Sequence, residues 1–153
     1  MKSAVRDYET ALSQIRGVTA GETDLTANLA NVSAVLKTLP GFFWVGFYLL
    51  KEEELVLGPF QGPVACTRIP LGKGVCGSAF ERRETVIVPD VHAFPGHLAC
   101  NAASQSEIVV PVFDRSGSPV MVLDVDSDLP NAFCETDAAA LEETARILTA
   151  VLL

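Results

Sequence analysis

Basic residues are scarce in this chain: 11 Lys and Arg stand against 19 Asp and Glu, a net charge of −8. That balance repels phosphate backbones and anionic membrane surfaces, which argues against nucleic acid or a membrane as partner. Long apolar runs are missing too. No stretch reaches the roughly 20 apolar residues of a membrane span, and Met1-Lys-Ser-Ala-Val-Arg-Asp7 carries charge where a signal peptide needs an apolar segment. The expected location is the cytoplasm. There is no Cys-x-x-Cys or His-x-x-x-His pair, no internal repeat and no low-complexity tract. The glycine-rich Gly72-Lys-Gly-Val-Cys-Gly77 lacks the Gly-Lys-Ser/Thr ending of a phosphate-cradling loop.

What is present is a core. With 153 residues, 49% of them hydrophobic, the chain is expected to form one domain over 1–153. Val5, Tyr8, Leu12 and Ile15 recur at helical spacing, as do Leu25, Leu29, Val32 and Leu36, with Thr23 as the expected cap and Pro40-Gly41 as the stop. Phe43 to Leu50 is apolar on both faces, as in a buried central strand, and Leu55 to Phe60 follows after the charged turn Lys51-Glu-Glu-Glu54. Thr67 to Pro70 and Thr85 to Val88 read as short strands either side of a glycine-rich entry into a helix, Gly72 to Arg83. Ile108 to Phe113 and Val120 to Val125 form a hairpin through Asp114 to Pro119, and a last helix covers Glu135 to Leu153. Terminal helices around mostly hairpin-connected strands define an α+β fold with a mostly antiparallel central sheet.

Pro89 to Ser106 has no strand or helix pattern and is about as long as such loops get in compact domains, where they usually serve function. It holds both histidines, His92 and His97, and Cys100. Cys100 lies in a polar setting just ahead of a strand, Cys66 and Cys76 lie upstream, and Glu107, Asp124 and Asp126 supply acid groups. In a chain that reads as cytoplasmic, four cysteines are thiols, ligands or transient redox partners rather than staples. The inventory points to thiol redox chemistry on a small polar substrate. Alternation along Leu123-Asp-Val-Asp-Ser127 puts both aspartates on one strand face. Trp44 and Tyr48, four apart, share a face of their own strand.

Glu22-Thr-Asp24 with Ala27-Asn-Leu-Ala-Asn31, Trp44-Val-Gly-Phe-Tyr48, Leu57-Gly-Pro-Phe-Gln-Gly62, Ala65-Cys-Thr-Arg-Ile-Pro70, Gly74-Val-Cys-Gly77, Gly96-His-Leu-Ala-Cys100, Ser106-Glu-Ile-Val109 and Leu123-Asp-Val-Asp-Ser127 together resemble the free methionine-(R)-sulfoxide reductases, a catalytic branch of the GAF-domain fold. Cys134 departs from the pattern, standing where that family tends to place a hydroxyl helix cap. The resemblance implies a single GAF domain that reduces free methionine-(R)-sulfoxide, with no bound cofactor or metal and with thioredoxin as external reductant. It implies Cys100 as nucleophile, leaving a sulfenic acid that Cys66 resolves as a disulfide, with Cys76 as a secondary resolving thiol. Glu107, Asp124 and Asp126 then line the pocket, Glu107 and Asp126 serving protonation. Trp44 and Tyr48 cup the thioether, and backbone N–H groups around Ala99 and Cys100 stabilise the thiolate or the oxygen.

Two other readings compete with that one. The first is a non-catalytic GAF sensor of a small metabolite. The second is a zinc site built from Cys66, Cys76, Cys100 and a histidine, whose ligand types suit the metal while their spacing does not. A homodimer through the terminal helices is the expected assembly.

Overall fold

The computed structural model describes residues 5–98 and 100–153. The elements are α1 (Tyr8–Thr19), α2 (Leu25–Lys37), β1 (Trp44–Lys51), β2 (Glu54–Gln61), β3 (Arg68–Pro70), α3 (Gly74–Arg82), β4 (Val86–Val88), β5 (Ser106–Phe113), β6 (Pro119–Ser127) and α4 (Glu135–Leu152). The strands form one sheet in the order β3-β2-β1-β6-β5-β4, and every neighbouring pair is antiparallel. This is the α+β domain the sequence predicts. Among the described residues, no helix is long and apolar enough to cross a membrane.

Period-two alternation divides the central strands between two layers. Val45 and Phe47 of β1, Ile108, Val110 and Val112 of β5, and Met121, Leu123 and Val125 of β6 bury against Ile15, Leu29, Val32, Leu36, Leu141 and Leu148 of α1, α2 and α4. The intervening residues face the other way, where α3 and the loops cover a second cluster that includes Trp44, Tyr48, Val109, Val122, Val75, Cys76 and Phe80. A sheet buried on both faces explains why β1 and β5 read as continuous apolar runs.

Two details of the helix starts differ from expectation. Val5 lies ahead of α1 and is exposed rather than part of its apolar stripe. Asp24, not Thr23, caps α2, its side chain accepting from Ala27 N at 2.9 Å. A carboxylate one residue further along reaches the orphan N–H groups and also complements the helix dipole. The segment before α1 is clasped to α4 by Arg6. Its guanidinium lies over the rings of Phe42 and Phe133, 5.0 and 5.4 Å from their centroids, and bonds Asp137 Oδ1 at 2.9 Å. Tyr8 donates its hydroxyl to the same oxygen. Asp137 also takes the backbone N–H of Cys134 at 2.8 Å, so the start of α4 is capped from its third residue although a cysteine stands at the cap.

Candidate active site

The site face of the sheet is set by register. Asp126 pairs with Trp44 on one side and Glu107 on the other; Asp124 pairs with Gly46 and Val109. Glu107, Asp124, Asp126, Trp44 and Tyr48 therefore converge on one face of three adjacent strands, which is more than the shared face of each pair that alternation predicts. α3 brings Cys76 over them, and the long loop ahead of β5 closes the rim with His97, Leu98, Cys100 and Ser104. Together they enclose a cavity of about 50 Å³, lined by these residues and by Val75 among others.

One wall is aromatic. Trp44 stacks on Phe60 (centroids 5.2 Å, planes 18° apart) and on Tyr48 (6.0 Å, 23°). Gly46, between the two in sequence, leaves the space the indole occupies: a Cβ there would meet Trp44 Cη2 at 2.6 Å and collide with Phe60. Trp44 donates Nε1–H to the Pro63 carbonyl at 3.0 Å, and Tyr48 its hydroxyl to the Cys66 carbonyl at 2.8 Å. Both anchors hold the loop that follows β2 against the cavity. On the opposite side Gly74 N–H donates to the Gly96 carbonyl at 3.2 Å, which joins the start of α3 to the loop carrying Cys100.

Cys66 and Cys100 are joined in a disulfide, with Cα atoms 5.1 Å apart. This is the pairing the resemblance implies, and it dissolves the zinc set that uses both as separate ligands. Cys100 lines the cavity; Cys66 reaches the bond from behind the wall. Cys76 is buried and free, and Cys134 is exposed and free. The Cys100 N–H donates to the Leu98 carbonyl at 2.9 Å, so in this disulfide state it is not the free donor expected to face a thiolate or oxygen. Ala99, the other residue of that expectation, lies outside the described residues.

The carboxylates are sheltered, and this changes their acidity. Burial, reinforced by the charge of Asp124, raises Glu107 well above the usual carboxylate range. Burial and neighbouring Asp126 push Asp124 up to about 8, and burial with the charge of Glu107 raises Asp126. Cys76 is raised by burial and then by Asp124, and its Sγ lies 4.0 Å from Glu107 Oε2. Near neutral pH the cluster therefore stores protons in a sheltered site, the condition a general acid needs. His97 is shifted the other way, lowered by burial and by His92, whose ring centroid is 6.4 Å away.

Ser104, Leu98 and Val75 line the cavity without having stood out in the sequence. Ser104 is a buried polar side chain in the long loop. Nothing local in the sequence marks it as a cavity residue. Gly74 holds a usable signal: its φ is 62°, and a Cβ at that position would lie 3.2 Å from Leu98 Cγ, so glycine is favoured where that leucine packs.

A β-sheet with three helices on one face and a buried thiol–carboxylate cavity on the other is the architecture of a GAF domain, and the GAF domain family matches this chain over residues 22–152. The chain belongs to that family. A free methionine-R-sulfoxide reductase from Escherichia coli is 48% identical over 134 residues, which cover 87% of this chain and 81% of that protein. The free methionine-R-sulfoxide reductase of Neisseria meningitidis, solved in complex with its substrate, matches at a TM-score of 0.91 and 52% identity over 98% of this chain and 93% of that one. The reduced form of the Staphylococcus aureus enzyme matches at a TM-score of 0.95 and 43% identity, covering 100% of this chain and 99% of that one. Within the GAF domains, this chain is a member of the free methionine-R-sulfoxide reductases.

Proposed function

We propose that this chain reduces free methionine-(R)-sulfoxide to methionine at the cavity above β1, β5 and β6. The observation that carries the reading is a cysteine pair already joined, Cys66 to Cys100, whose Cys100 half opens on a pocket lined by three carboxyl groups. In the reduced enzyme the Cys100 thiolate attacks the sulfoxide sulfur while Glu107 gives its proton to the oxygen. The oxygen passes to Cys100 as a sulfenic acid, methionine leaves, and the sulfur of the substrate is reduced by two electrons. Cys66 then attacks the sulfenic sulfur, expelling water and forming the disulfide. Cys76 stands in the same pocket as the reserve resolving thiol. Thioredoxin, as an external dithiol, returns the disulfide to two thiols.

The amino-acid character of the substrate follows from the carboxyl groups. Asp124 and Asp126 flank Glu107 and can give up a proton to pair with a free α-ammonium, which a peptide-embedded sulfoxide lacks. Trp44 and Tyr48 offer aromatic surface to the methyl and thioether groups. The R preference is carried over from the relatives; thioredoxin as reductant follows from the family resemblance, and a cytoplasmic location from the charged N-terminus and the lack of long apolar runs. A homodimer through α1 and α4 belongs to the same reading, and light scattering of the purified chain tests it.

The deciding experiment is turnover with thioredoxin on free methionine-R-sulfoxide, free methionine-S-sulfoxide and a peptide-embedded sulfoxide. The free R form alone should be reduced at an appreciable rate. Comparable activity on the peptide would overturn the specificity, and no activity on any of the three would favour the non-catalytic sensor.

A further inference from the structure

Attack and resolution call for Cys100 and Cys66, and an ammonium calls for carboxylates. Neither calls for a thiol set among the carboxylates, and a reserve role in resolution does not require carboxylate neighbours. Yet α3 places Cys76 there. Its Sγ is 4.0 Å from Glu107 Oε2, and one ligand atom each from Cys76, Glu107 and Asp124 all lie within 4.8 Å of one another. The three residues come from α3, β5 and β6 and are 3%, 6% and 5% exposed. A second observation is independent of that clustering. Asp124 Oδ1 is fully buried in the cavity wall and, among the described residues, has no hydrogen-bond partner, although buried acceptors are nearly always satisfied.

A sulfur ligand and two carboxylate oxygens suit a borderline-soft cation better than an ammonium or a hard ion. In a tetrahedral shell with Zn–S of about 2.3 Å and Zn–O of about 2.1 Å, sulfur and oxygen stand roughly 3.6 Å apart. The observed spacings, 4.0 Å from Cys76 Sγ to Glu107 Oε2 and none above 4.8 Å, lie close to that value, and all three residues line the cavity. We propose that Cys76, Glu107 and Asp124 form a binding site for a thiophilic divalent cation of the zinc class. This set differs from the one weighed on sequence grounds, since it uses neither half of the disulfide and no histidine. It shares Glu107 and Asp124 with the reductase reading but is tested without turnover, so the two can fail separately.

The disulfide form of the full chain isolates the question, because Cys76 and exposed Cys134 are then the remaining thiols. Titration with Co²⁺ should bring up a thiolate-to-cobalt charge-transfer band that saturates at one equivalent and is abolished by Zn²⁺. Mg²⁺, which favours six oxygen ligands, should not displace the cobalt. Cys76→Ser should lack the band, Cys134→Ser should keep it, and Asp124→Asn should weaken binding by about tenfold or more. Absence of the band in the parent, its survival in Cys76→Ser or its loss in Cys134→Ser would overturn the site. A second measurement needs no variant: saturating Zn²⁺ should slow alkylation of Cys76 by a small thiol reagent, read by intact mass and peptide mapping. An alkylation rate unchanged by zinc would equally overturn it.

Discussion

The Tyr48 hydroxyl donates a 2.8 Å hydrogen bond to the Cys66 carbonyl, so the aromatic wall of the cavity and the loop carrying one half of the disulfide are a single mechanical unit. Tyr48→Phe separates the two roles, because it keeps the ring and removes the donor. An unpartnered carbonyl costs about 1–3 kcal/mol when it cannot reach water, and freeing it lets Cys66 wander from Cys100. We expect substrate KM near the parent value, a normal single burst of methionine, and turnover with thioredoxin slowed about tenfold, equivalent to ~1.4 kcal/mol. Steady-state and rapid-quench kinetics check this. A parent turnover rate would show that Cys66 is held by something else.

Glu107 and Asp126 face each other across the β5–β6 ladder and line the same cavity, yet their substitutions should not have the same effect. Glu107→Gln keeps the shape and loses the transferable proton, which should lower kcat by about 10²-fold or more with KM little changed. Asp126→Asn removes a carboxyl that can ionise against the ammonium as well as a transferable proton, and should affect kcat and KM together. Parent-like kinetics in both variants would remove the acid cluster from the mechanism.

The same cluster makes stability depend on pH. Asp124 titrates near 8 in the folded chain against an ordinary value of 3.8, so between those values the native state holds a proton that the unfolded state has lost. The contribution is therefore fully present below about pH 4 and is lost as pH rises through about 8. Glu107 and Asp126, also raised, act in the same direction. Asp7 and Asp114 are lowered and influence stability only in the acid range. Unfolding free energies from urea titrations in the presence of a chelator should fall between pH 5 and pH 8.5, by at least about 1 kcal/mol in the parent. Asp124→Asn should flatten that slope and be the more stable protein at pH 8.5. A parent profile flat over this range would contradict the buried, protonated cluster.

Period-two patterns are legible because side chains on a strand must alternate, and alternation alone assigns Asp124 with Asp126, and Trp44 with Tyr48, to a shared face. Their meeting with Glu107 is not legible from spacing. It depends on the register of β6 between β1 and β5, a long-range property that brings Trp44 to Asp126 and Asp126 to Glu107. The family motifs supply that step, together with the Cys66–Cys100 pairing, which no local rule predicts across 34 residues. Val5 misleads because helical spacing continues into a segment that Arg6 pulls toward Asp137, so that the helix begins only at Tyr8. The wall formed by Leu98 over Gly74 is readable in part, from the glycine alone; Ser104 is not.

The cysteines should separate by role. Cys100→Ser should abolish methionine release altogether, because a hydroxyl is a far weaker nucleophile than a thiolate and the acids that line the cavity hold protons rather than accept them. Cys66→Ser should still give one rapid equivalent of methionine, leaving a sulfenic acid on Cys100 that a dimedone-type probe traps, while turnover with thioredoxin falls sharply. Cys76→Ser should cost little while Cys66 is present, since the resolving thiol is already bonded to its partner and Cys76 is buried among acids that keep its thiol protonated. Methionine yield by rapid quench and intact mass on the three variants reads all of this. If Cys66→Ser recycles with thioredoxin at the parent rate and Cys76→Ser does not, the resolving thiol is Cys76, and the Cys66–Cys100 disulfide is a side product of oxidation. A full single-turnover burst from Cys100→Ser would defeat the mechanism itself, because the other cysteine that lines the cavity, Cys76, is held among the carboxylates.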